Sequence, residues 1–246
     1  MKTHYFACVL ALACMISSGV ARAQVPPVKV DPELIKVDQP RDDANPELRN
    51  ARVAGLAELQ KRLGHGSPAR YGFEQAPPQG SMTVLEPFKQ ATVQLDALQS
   101  YRGSNGEALL KNADSFMYPI MVGGSVASSM TVARVAGVWK VVSYGNAPLI
   151  RSAMRARVDA LRARAQLAGA TVALFPRDRT PDYTIITVTG LNVFFLGGHS
   201  LIGGLQLVPL FELGHPGFAN GRFLPVDRVM KALSLEAANF DGKAPT

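Results

Sequence analysis

Three runs of β-branched and aromatic residues, cut by two short glycine-containing dipeptides, leave residues 116–144 little alternative to an antiparallel meander. The strands are predicted at Phe116 to Val122, Ser125 to Arg134 and Val138 to Tyr144, with Gly123-Gly124 and Ala136-Gly137 as tight hairpin turns. Hairpins of this kind fix their own register, because a slip of one residue would turn every core side chain to the opposite face.

Helical signals flank the meander. A helix is predicted over Glu86 to Gln99 with Pro87 in its first turn, and a short helical piece over Glu107 to Ala113. After the meander, Asn146 precedes a helix whose stripe is Ile150, Met154, Val158, Leu161 and Ala165, ending at Gly169. A second β-rich run follows, with strands predicted at Thr171 to Phe175, Tyr183 to Thr189, Asn192 to Leu196 and Leu205 to Phe211. Pro225 opens a last helix carrying Val226, Val229, Met230 and Leu233. Upstream, Asn45-Pro46-Glu47 reads as a helix start, and Leu48, Leu56, Leu59 and Leu63 recur until Gly64.

Helices alternating with runs of neighbouring strands indicate an α+β fold of antiparallel meanders packed by helices, as one sheet or as two similar curled halves. The organisation read from this is a signal peptide over 1–23, then an extended lead-in, one helix and a Gly/Pro-rich linker over 24–80. A helix, the three-stranded meander and an Arg-rich helix occupy 81–169, and a four-stranded meander with the C-terminal helix occupies 170–246. In general shape the segment from Tyr118 to Gly145 resembles the curled meanders of secreted cystatin-like and NTF2-like domains. That resemblance implies a helix filling the sheet's concave face and a strand edge able to recruit an extended partner segment.

The N-terminus carries Lys2, an apolar core from Phe6 to Ile16 and Ala21-Arg22-Ala23, which together read as an export signal cleaved after Ala23. The apolar run is shorter than the about 20 residues a membrane span needs. Lipidation at Cys14 is the competing reading, and Ala11, three positions before it, is where a leucine would be expected. Cys8 and Cys14 both fall in the signal, so the mature chain is expected to be cysteine-free, which excludes thiolate catalysis, cysteine metal sites and disulfides. The remaining 24 basic and 19 acidic residues give a net charge of +5, favouring anionic partners.

FFLGGHSLIGG, residues 194–204, resembles the nucleophile turn of lipases and esterases, which would make Ser200 a nucleophile. That turn is spelled G-x-S-x-G and leads into a helix, whereas Ile202 stands where the second glycine belongs and LQLVPLF beyond it has a strand pattern. A hairpin loop is the expectation, because Glu212 and His215 are too close in sequence to complete a triad. His199, Glu212 and His215 fall short of the three ligands of a zinc site, and His65 has no recognisable partner. Gly197, Gly198, Gly203 and Gly204 are read as lying between strands, without the helix N-terminus that a phosphate loop needs. No cofactor is expected, and Trp139 is expected in the core.

RSAMRARVDALRARA, residues 151–165, is the strongest chemical feature. Arg151, Arg155 and Arg162 fall near one line of the helix, with Arg157 and Arg164 to one side and only Asp159 opposed. Guanidiniums so placed can grip phosphate or carboxylate groups in bidentate fashion, and a solvated arginine-rich face is the alternative. The expectation is therefore an exported, periplasmic or extracellular, non-enzymatic binding protein. Its partner would be a protein, a peptide or an anionic envelope component, with no specific nucleic acid. A serine hydrolase using Ser200 is one rival. The other is a subunit of an envelope assembly in which the apolar segments NVFFL and LQLVPLF are covered.

Overall fold

The computed structural model describes residues 28–29, 45–167, 182–199, 204–211, 218 and 221–240. The predicted signal peptide, the strand predicted at 171–175, and Ser200, Glu212 and His215 lie outside them. The fold is α+β, built on a strongly curled sheet. Among the described residues, ten strands form one continuous sheet: β1 (Val28–Lys29), β2 (Met82–Val84), β3 (Phe88–Val93), β4 (Leu110–Val122), β5 (Ser125–Val135), β6 (Val138–Tyr144), β7 (Thr184–Val188), β8 (Val193–His199), β9 (Leu205–Pro209) and β10 (Leu224–Pro225). The described residues also form four α-helices: α1 (Pro46–Leu63), α2 (Leu95–Gln99), α3 (Ala147–Leu167) and α4 (Val226–Ala238).

The spatial order is β1-β5-β4-β3-β7-β8-β9-β10, with β2 added to β4 and β6 to β5. Every described pairing is antiparallel except β3 with β7, which runs parallel from Lys89↔Thr184 to Val93↔Val188. That one parallel ladder joins the two β-rich runs into a single sheet. The meander forms as its turns dictate: Gly123, Gly124, Ala136 and Gly137 all take positive φ, at 56°, 77°, 53° and 85°, the signature of type I′ hairpins.

The region before the meander folds differently from its sequence prediction. No helix spans 86–99; residues 88–93 are β3, and only Leu95–Gln99 is helical. FKQATV has adequate helix propensity, but β3 sits between β4 and β7, where ladder bonds on both edges and burial of Phe88, Ala91 and Val93 outweigh it. Likewise Gly106–Leu109 is a single 3-10 turn, and β4 begins at once at Leu110.

Both faces of the sheet are covered. On one face α3 packs Ile150, Met154, Val158 and Leu161 against Phe88, Met117, Ile185, Leu196 and Val208. On the other, α1 covers Tyr118, Ile120, Met130 and Val132, while α4 covers Ile186, Val188, Phe195 and Leu207. A bulge assists this division: Ile120 pairs with Ser128 but Met121 with Val126, leaving Ala127 extra. The extra residue turns Val126 towards α3 while Met130 and Val132 face α1. NVFFL and LQLVP read as continuous apolar runs because they lie between α3 and α4; Phe195, Leu196, Leu207 and Val208 are at most 1 % exposed without any second chain. Trp139 is half-buried and packs on Phe116, with ring centroids 5.6 Å apart.

Candidate functional site

The α3 stripe presses the helix onto the sheet and sends its two flanks in different directions. The flank carrying Arg151, Arg155 and Arg162 turns towards the β5 edge. Arg151 does not stay free there: its guanidinium donates to the carbonyls of Val126 at 3.1 Å and Ala127 at 3.3 Å, tying the helix to the bulged strand. Arg155 and Arg162 are exposed. They meet β1, which pairs antiparallel with β5 through Val28↔Val126 and Lys29↔Ser125.

Between β1 and α3 lies a groove of about 330 Å³, lined by Val28, Lys29, Arg155, Val158, Asp159 and Arg162. Val28 and Val158 lie buried at its base, 8 % and 4 % exposed. Among the described residues that line it are three cations, Lys29, Arg155 and Arg162, and one acid, Asp159. Asp159 reaches Arg162 only loosely, at 3.8 Å, and both side chains are more than half exposed. Such a surface pair offsets little charge, so the groove keeps a positive field. Lys29 is the member that sequence reasoning missed, since a two-residue strand carries no periodicity; its neighbour Val28 alternating into the core is the only sign.

The other flank of α3 corrects the reading that set Arg157 among the guanidiniums available to grip an anion. Arg157 is 3 % exposed. It pairs with the Glu86 carboxylate, donates to the Glu86 carbonyl at 3.3 Å, and lies over the rings of Phe88 and Tyr183 at 5.5 and 5.8 Å. Its Nε has no hydrogen-bond partner. Periodicity could have placed it there: Arg157 stands seven residues after Ile150, two turns along the same line, and so falls in the buried stripe. The side chain of Arg164 lies outside the described residues.

The segment around Ser200 is built for packing. Gly197 and Gly198 lie inside β8, not between strands. A Cβ at Gly197 would come within 2.7 Å of Ile186 Cδ1, and one at Gly198 within 2.9 Å of Tyr183 Cε1, so the glycines admit a side chain of β7 and that of the residue before it. His199 pairs in register with Leu205 of β9, and Leu205–Pro209 is a strand, where a nucleophile turn would lead into a helix. The His199 ring lies 3.3 Å from the Glu107 carboxylate in an exposed pair. His65 is exposed in its loop. Among the described residues no three His, Cys, Asp or Glu gather as metal ligands, and no helix is long and apolar enough to cross a membrane. The chain matches no protein-family model, no curated protein and no solved structure, so its groove has to be read from its own chemistry.

Proposed function

We propose that this is an exported, non-enzymatic binding protein that holds an anionic envelope component in the groove between β1 and α3. The observation that carries the reading is the placement of Lys29, Arg155 and Arg162 around one concave surface, with Asp159 the one acid among the described residues that line it. Two guanidiniums on one side of a groove and an ammonium on the other suit carboxylate or phosphate groups. The export signal at Met1 to Ala23 supports an envelope location, and N-terminal sequencing of the exported protein is expected to begin at Gln24.

The test is retention on immobilised heparin at low ionic strength. The variant Arg155→Gln/Arg162→Gln is compared with Arg49→Gln/Lys61→Gln, which removes the same charge from exposed positions on α1. Loss of retention in the groove variant alone supports the reading, and elution of the two variants at the same salt concentration overturns it, because net charge would then explain everything. A serine hydrolase would reveal itself through fluorophosphonate labelling abolished by Ser200→Ala.

A further inference from the structure

Resting on that reading, we infer that the groove is selective for hydroxyl-bearing anions, an acidic carbohydrate in chemical class, and that Asp159 is the residue that confers the selectivity. A site evolved only for negative charge has no use for a carboxylate at its centre. Asp159 lies four residues after Arg155 and three before Arg162, on the same side of α3 and between them. It lines the groove with them, is 65 % exposed, and among the described residues is held by the 3.8 Å contact to Arg162. An ionised carboxylate donates nothing; it can only accept. Towards a bare phosphate or carboxylate it is repulsive, whereas towards a sugar hydroxyl it is a strong acceptor, since hydrogen bonds to charged groups exceed neutral ones.

The rest of the lining fits the same ligand. Val28 and Val158 close the floor of the groove with little surface of their own, so recognition falls to the charged side chains around it. Arg155 and Arg162 are seven residues apart, about 10.5 Å along the helix axis. That separation suits acidic groups carried on an extended oligosaccharide better than adjacent phosphates in a compact polyphosphate, which would crowd against Asp159.

The sign of one substitution tests this. Asp159→Ala deletes the acceptor, removes a negative charge and raises helix propensity, so the fold is retained. Binding of a short oligogalacturonate and of inorganic tripolyphosphate is measured for the full-length mature protein by titration calorimetry at one fixed low salt concentration. The expected result is opposite movement: severalfold tighter tripolyphosphate binding and severalfold weaker oligogalacturonate binding, a selectivity change of about tenfold. Tighter binding of both probes overturns the role of Asp159 while leaving the basic groove standing. Binding of either probe that is indifferent to Arg155→Gln/Arg162→Gln overturns the groove itself, and with it this inference.

Discussion

Replacing Gly55 with alanine sets two well-measured effects against each other within one helix. In an isolated helix the change stabilises by about 0.8–1.0 kcal/mol, because glycine loses most backbone entropy on folding. Gly55, however, is where α1 touches the sheet: a Cβ there would stand 2.2 Å from Val141 Cγ2 and 2.6 Å from Met130 Sδ. Met130 is a flexible thioether and can give way, but Val141 is branched at Cβ and has few rotamers to escape into. The helix cannot easily back off either, since Leu59 is fully buried one turn on and Tyr144 Oη donates to the Gly55 carbonyl at 2.9 Å. Overpacking costs about 1–3 kcal/mol, and a 2.2 Å approach to a β-branched side chain belongs in the upper half of that range, so the net expectation is a loss of about 1–2 kcal/mol. For a chain of this length that lowers Tm by about 3–6 °C in a reversible melt. Val141→Ala should destabilise the wild type yet recover stability in the Gly55→Ala background, because it removes the atom that clashes. A Gly55→Ala protein as stable as wild type, with no coupling to position 141, would refute the contact between α1 and β6.

Arg157→Met removes one partner of a largely buried ion pair and leaves the Glu86 carboxylate, 18 % exposed, without that guanidinium. A loss of about 3 kcal/mol is expected from the urea midpoint, against less than about 0.5 kcal/mol for Arg162→Met at its exposed position; equal effects would sink the assignment. Tyr101 is buried and donates to Asp227 at 2.9 Å. Burial first, and then its bond to that carboxylate, push its hydroxyl up to about 12. The folded state therefore favours the protonated phenol. Its contribution is intact below pH 10 and is lost as pH rises through about 12. Tyr101→Phe should cost about 1 kcal/mol at neutral pH and flatten the alkaline limb of the stability profile; an unchanged limb would contradict the Tyr101–Asp227 bond.

How much of this was legible depended on whether a feature was decided locally. Gly123-Gly124 and Ala136-Gly137 specify their turns within two residues, so β4 to β6 could be read directly. Asn45 caps α1 by accepting from the Leu48 amide at 3.1 Å, and Pro46 sits at its first position, as the sequence predicted. The strand β3 could not be read this way, because its neighbour β7 begins more than ninety residues later and only that parallel ladder makes 88–93 extended. The single sheet was open for the same reason. Arg157 was misplaced by residue type: its charge suggested solvent while its helical position pointed to the core, and the pair with Glu86 lets position win. At the groove, Arg155, Arg162 and Asp159 were visible as a helical face, but their meeting with Lys29 depends on β1 reaching β5 across nearly a hundred residues.

The two flanks of α3 therefore do different work from one backbone. Its Arg157 flank lies against Phe88 and Tyr183 and holds the helix to the centre of the sheet, where the two β-rich runs join. Its Arg155 and Arg162 flank overhangs β1 at the margin, where water still reaches the charges and a ligand could displace it. Arg151 stands between these roles, because its bonds to Val126 and Ala127 fix the distance between helix and β5, and so the width of the groove. Like charges on one helix face repel, and a chain that needed only solubility could have scattered them. Here one arginine is spent on the core and one on the strand edge. Of the helix arginines whose side chains are described, the two that face solvent, Arg155 and Arg162, are those that β1 approaches with a third cation, Lys29.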